Sequence, residues 1–320
     1  MFNFFMHFSA RGAITALGAL LGFLLTYWLL KSHSDFLPRD HGREYAVNGK
    51  QSIGKPRGAG IVFVLAAAAM ILIFGMVSVE MILYMALLAA IMLTGYLDDA
   101  AKVSWGELRK GILDLVIAVA TTVVFLYYNG SDVTECFTGG TAHLPMVLFA
   151  ILSILLIWVA INVTNCSDGV DGLSGTLTII TLLTYYVADQ ILQKTEFNDA
   201  IIIFIACLLA YLWFNAGPSL MLMGDAGSRA MGFFIALTAL KSGSPFLYLL
   251  ASIVLIVDGG AGIAKVFLMR HTKIRILQQT TTPIHDHVRK NFGWSNTQTV
   301  TRFAIIQMVV SVVTLGIMMH

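Results

Sequence analysis

The chain has 320 residues, 58% hydrophobic and 12% charged, with a mean hydropathy of +0.81 and a formal net charge of +2. A soluble domain carries about 25% charged residues, so this composition excludes a water-soluble globular enzyme, and the near-neutral charge gives no sign of nucleic-acid binding. The three cysteines, Cys136, Cys166 and Cys207, have no CxxC spacing, which argues against a disulfide framework or a thiolate metal centre.

Crossing the hydrocarbon takes roughly 20 apolar residues, and about ten such runs are predicted as helices. The first, 12–30, is followed by Lys31 and by no small-residue cleavage site, so it is read as an uncleaved span. A polar stretch, 31–57, leads to runs at 59–78 and 81–97. The latter ends in LTGYLDDAAK, where Asp98 and Asp99 stand side by side and Lys102 follows Asp98 at i, i+4. If the helix continues, Lys102 shares a face with Asp98.

Run 111–128, which contains Asp114, precedes a polar loop at 129–144. Run 145–161 opens into NVTNCSDGVDG, residues 162–172. Runs at 174–190 and 200–214 lead into NAGPSLMLMGDAGS, residues 215–228, and then into run 227–241. Run 246–264, which contains Asp258, is followed by the polar segment 265–302 with PIHDH at 283–287. The last run is 303–319.

Basic residues set orientation. With the amino terminus outside, 17 of the 20 lysines and arginines fall on the inner side, and Arg11, Lys194 and Lys241 remain outside. On that reading DD, NVTNCSDGVDG, MGDAGS and PIHDH all meet at the cytoplasmic face. Boundary acids alone can be simple end caps, and paired acids inside a bundle, such as Asp114 or Asp258, can be purely structural. Four polar clusters on one face point instead to a site.

Carboxylates and asparagines without thiolates suit a hard cation, and Mg²⁺ takes one or two carboxylates with water and phosphate completing its shell. Glycines such as Gly172 let backbone N–H groups approach phosphate. Lys50, Lys55, Arg57 and Lys102 supply positive charge for an anionic substrate. No Walker loop is present. The pattern suits phosphoryl transfer at a membrane surface. A secondary transporter is the distant alternative, but its ionisable groups belong near the midplane and in repeated halves, and no repeat is visible here.

DDAAK (98–102), NVTNCSDGVDGLSG (162–175), the Asn215…MGDAGS pattern and PIHDH…GW…RF (283–303) together resemble the polyprenyl-phosphate N-acetylhexosamine-1-phosphate transferase superfamily. PIH, Gly293-Trp294 and Arg302-Phe303 favour its muramoyl-pentapeptide branch over the N-acetylglucosamine branch, which is the close alternative. The resemblance implies an all-α polytopic membrane enzyme, one transferase domain over 1–320. Its ten helices would surround a cytoplasmic-side cleft in the cell inner membrane. It implies transfer of phospho-N-acetylmuramoyl-pentapeptide from its UDP carrier to undecaprenyl phosphate, releasing UMP and forming lipid I. It also implies Mg²⁺ and a homodimer.

Carried onto this sequence, the resemblance makes Asp98, Asp99, Asp225 and His287 catalytic, with Asp225 the metal ligand. It assigns Lys55, Lys102, Asn165, Asp168, Asp171, Gly172, Asn215 and His285 to substrate binding. Attack by the lipid phosphate itself and a two-step route through an aspartyl intermediate are both compatible with these residues. The chain departs from the family's pattern at Asp286, where the family has a histidine. GKPRGAG (54–60) stands in place of GTPTMGG, Ser52 in place of a lysine, and Leu222 in place of a frequent phenylalanine. Lys50 is a candidate substitute for the missing lysine.

Overall fold

The computed structural model describes residues 11–40, 42 and 52–319. Apolar composition dictates helices, because a backbone in hydrocarbon must satisfy its own hydrogen bonds. The helices are α1 (Arg11–Ser32), α2 (Gly60–Phe74), α3 (Val79–Asp99), α4 (Glu107–Asn129), α5 (Met146–Cys166), α6 (Leu173–Ile191), α7 (Asn198–Asn215), α8 (Gly224–Lys241), α9 (Tyr248–Ala251), α10 (Ile253–His271), α11 (Ile284–Asn291) and α12 (Asn296–Met318). Each apolar run read from the sequence falls on one of these helices, except 246–264, which is split between α9 and α10. The loop between α4 and α5 adds a short antiparallel hairpin, β1 (Asp132–Thr134) with β2 (Thr141–His143), in which Val133 faces Ala142.

Among the described residues, six helices are long and apolar enough to cross a membrane: α1, α3, α4, α5, α7 (taken with the turn before it) and α12. The bent pair α9–α10 makes a seventh if it is one broken span and not a re-entrant loop, and α2 is a shorter apolar helix of 15 residues. The chain is a mostly helical, multi-pass membrane protein. Helix α8 is less apolar because it carries Asp225, Arg229 and Lys241, yet every residue from Gly224 to Leu240 is buried. It is the central post, packed by α2, α3, α5 and α6. A polar helix is tolerated there because protein, not lipid, surrounds it.

Close packing brings the helix ends together. Gly95 of α3 lies against the first turn of α8, and a methyl group there would come within 2.6 Å of the Ala226 nitrogen. Gly224, which opens α8 with φ of +67°, sits against the Asp99 carboxylate. Only glycine combines that backbone angle with the absence of a side chain.

The α9–α10 pair bends by 87° at Ser252. The backbone groups freed by the break are satisfied from other helices. Gln307 of α12 accepts from the Val254 N–H at 3.0 Å and donates to the Leu250 carbonyl at 3.1 Å. Thr181 of α6 donates to the Ala251 carbonyl at 2.7 Å.

Candidate active site

Helix α3 ends at Asp99, and residues 100–106 turn the chain into α4. Both carboxylates of the DD pair are buried, but they face different partners. Asp98 Oδ1 accepts from the Trp105 N–H at 2.5 Å, and its Oδ2 meets the Lys110 ammonium at 2.5 Å. Lys110 also donates to Asp225 Oδ2 at 2.8 Å. Asp99 accepts from the Asp225 N–H with Oδ1 and from the Ala226 N–H with Oδ2, each at 3.1 Å. It therefore caps the start of α8, where a negative charge is favoured by the helix dipole.

Arg57 completes the cluster from the loop before α2. Its Nε donates to Asp99 Oδ1 at 2.8 Å, and its two terminal nitrogens face Asp40 at 3.4 Å and Asp225 at 3.7 Å. Burial pulls the Arg57 pKa down, but Asp99, Asp225 and Asp40 outweigh it and hold the guanidinium above its ordinary value. Four carboxylates, those of Asp40, Asp98, Asp99 and Asp225, thus face two cations, Arg57 and Lys110. Among the described residues, carboxylates therefore outnumber cations in this mostly buried cluster.

A second group lies alongside. Asn165 donates to Ser228 Oγ on α8 at 2.9 Å, and Ser174 donates to Asp168 Oδ1 at 2.6 Å. Asn215 accepts from the Gly172 N–H at 2.8 Å and donates to the Met221 carbonyl at 2.9 Å, so it stitches loop 166–172 to loop 216–223. Asp171 accepts from the Ser219 N–H at 3.2 Å, and Lys55 reaches Ser219 Oγ at 3.1 Å. Backbone bonds run Leu222 to Pro56, Ala59 to Leu222 and Gly60 to Met223, and they tie the 56–60 strip to the entry of α8.

The histidine segment closes a third side. Asp258 of α10 accepts from the His285 N–H at 2.7 Å and holds Nδ1 at 2.9 Å. The other edge of the ring lies over Gly169, where a methyl group would collide with it. His285 is therefore oriented by a buried acid toward the NVTNCSDGVDG loop. His287 is only partly buried, and its Nδ1 accepts from the Thr281 N–H at 3.2 Å and contacts Asn291 at 2.7 Å. Asp286 faces Arg289 at 3.4 Å. Asp114 pairs with Arg229 inside the bundle.

The four sequence clusters converge, but two expectations change. Lys102 lies beyond the end of α3, exposed on the turn, so it does not share a helical face with Asp98. The lysine beside Asp98 is Lys110. Its signal was present, since a basic residue soon after a helix that ends in two acids can fold back on them, but sequence spacing alone does not reveal the reversal. Asp40 was also missed, because its partners depend on a loop closure that no periodicity encodes. Lys50 lies outside the described residues.

Residues 81–243 match the glycosyl transferase family 4 model. The phospho-N-acetylmuramoyl-pentapeptide-transferase of Treponema pallidum (strain Nichols) is 38% identical over 317 residues, covering 93% of this chain and 87% of that protein. The proteins of the same name from Borrelia hermsii and Wolbachia pipientis wMel are 24% and 25% identical, covering 94% and 81% of this chain. The likeness runs through every segment that builds the site, from DD on α3 to the histidines on α11, and the chain belongs to the phospho-N-acetylmuramoyl-pentapeptide-transferase family within glycosyl transferase family 4.

Proposed function

We propose that this enzyme transfers phospho-N-acetylmuramoyl-pentapeptide from its UDP carrier to undecaprenyl phosphate, giving lipid I and UMP for peptidoglycan synthesis. Family membership supports the reaction. The observation that carries the site assignment is the meeting of Asp98, Asp99, Asp225, Arg57 and Lys110 at the mouth of α8. The reading includes ten membrane crossings, with α6 and α8 shielded inside the bundle. It also places the site on the cytoplasmic side of the inner membrane, as the basic residues suggest, and takes the working unit to be a homodimer.

Among the described residues, no three acidic, histidine or cysteine side chains are arranged to enclose a metal by themselves. Mg²⁺ does not need that, because one or two carboxylates plus water and substrate phosphate suffice. Among the described residues carboxylates outnumber cations here, and their hard oxygens are the ligand type that a divalent cation takes. Asp225, with Asp98 beside it, would hold Mg²⁺, which when bound would neutralise charge on the pyrophosphate.

The chain's own groups then have distinct tasks. Lys110 and Arg57 face these acids and offer cations to the incoming phosphates. Asn165, Asp168, Asp171 and Gly172 position the nucleotide and pyrophosphate, and Asn215 fixes the loops that carry them. Lys55 and His285 border this region, and His287 contacts sugar or phosphate. In direct displacement a lipid phosphate oxygen attacks the β-phosphorus. The bond from that phosphorus to the bridging oxygen breaks, and UMP carries the oxygen away. Lys102, exposed on the turn, would meet the substrate from outside.

The test is product analysis. Purified enzyme in detergent, given UDP-N-acetylmuramoyl-pentapeptide and undecaprenyl phosphate, should form a lipid-linked phospho-sugar peptide detected by mass spectrometry. UMP should appear in equal amount and only when the lipid is present. UMP release without lipid product would contradict the proposed acceptor.

A further inference from the structure

Asp40 lies in the segment joining α1 to α2, belongs to none of the motifs above and is 3% exposed. Its Oδ2 accepts from Ser52 Oγ at 2.6 Å and from the Gly42 N–H at 3.1 Å. Its main chain pairs with the opposite side of the same loop: the Asp40 N–H donates to the Lys55 carbonyl and the Gly54 N–H to the Asp40 carbonyl, both at 2.9 Å. Arg57 N–H donates to the Pro38 carbonyl at 2.8 Å. The loop is thus zipped between residues 38–40 and 54–57, with one buried carboxylate at its centre.

The remaining oxygen of Asp40 faces Arg57, whose other nitrogens reach Asp99 and Asp225. A guanidinium is a rigid planar fork, so fixing one nitrogen fixes the direction of the others. Arg57 is 20% exposed along its side chain, and without Asp40 it would be free to swing toward solvent or to collapse onto the two site acids.

We propose that Asp40 is a positioning residue for the transferase. It holds one end of the Arg57 guanidinium so that the other end is presented to Asp99 and Asp225, and it thereby clasps the loop before α2 over the acid cluster. The proposal rests on the transferase reading for its kinetic consequence, but the clasp itself does not.

The experiment uses the purified full-length chain and four variants: Asp40→Asn, Asp40→Glu, Arg57→Gln and the double variant Asp40→Asn with Arg57→Gln. Two readouts are taken: UMP release, for kcat and donor KM, and hydrogen exchange of the 52–59 amides. Asp40→Asn should lower kcat by about tenfold or more while donor KM moves less than about threefold, and Asp40→Glu should recover most of the loss. The double variant should be no slower than Arg57→Gln alone, since coupled residues are not additive. Exchange across 52–59 should quicken in Asp40→Asn.

Additive losses in the double variant, or an unchanged kcat per folded Asp40→Asn enzyme, would overturn the positioning role. If the wild type makes no lipid-linked product, the transferase reading fails on its own. The exchange comparison still decides the clasp, and unchanged protection of 52–59 in Asp40→Asn refutes it.

Discussion

Lys110 joins Asp98 to Asp225 with bonds of 2.5 and 2.8 Å, and it is the residue on which the electrostatics of the cluster turn. Removing one partner of a buried charge pair leaves the other uncompensated and is costly. Lys110→Met should therefore cut kcat by at least about 100-fold, the scale seen when a single group that stabilises charge in the transition state is removed. Asp225→Asn should do the same and should also weaken Mn²⁺ binding, measured by electron paramagnetic resonance on the detergent-solubilised enzyme. Unaltered Mn²⁺ binding in Asp225→Asn would remove this residue from the metal site. The sequence placed Asp98, Asp99 and Asp225 at one face because acids at span boundaries stand out against apolar neighbours. It did not show that Asp99 caps α8, since that contact spans 126 residues of chain.

At the level of elements, the site exists because α3 and α8 approach within a distance only glycine permits. Gly95→Ala should cost about 1–3 kcal/mol through overpacking against the first turn of α8. It should reduce activity more than a stability loss of that size explains, because the displaced turn carries Asp225. Thermal unfolding and turnover measured on the same preparation check this. The break between α9 and α10 makes a different prediction. Gln307→Leu orphans the Val254 N–H and removes one donor from the Leu250 carbonyl, which should destabilise the fold by about 1–3 kcal/mol. A thermal midpoint equal to that of the wild type would show that Gln307 does not hold the break. Helix positions were legible in the sequence because apolar runs bounded by charge have few alternatives. The bend was not, because Ser252 is the one polar residue in the apolar stretch 246–257 and its partners Gln307 and Thr181 come from other helices. The hairpin was also hidden, as three-residue strands carry too little pattern to read.

For the whole molecule, the basic residues argue one orientation, and every site segment lies at the end of the bundle opposite the hairpin. A cysteine at exposed Thr138, in a chain with Cys136, Cys166 and Cys207 replaced, should react with an impermeant maleimide from outside intact cells, and one at exposed Gln279 should not. The reverse pattern would place the site outside the cytoplasm and separate it from a nucleotide donor. In the proposed reaction this bundle joins a muramoyl-peptide nucleotide to a lipid phosphate, with the α11 region reading the donor. UMP release is measured from UDP-N-acetylmuramoyl-pentapeptide and from UDP-N-acetylglucosamine, each with the same concentration of undecaprenyl phosphate. The muramoyl donor should turn over, and the glucosamine donor should release no UMP above background. Comparable rates, or a preference for UDP-N-acetylglucosamine, would overturn that donor choice.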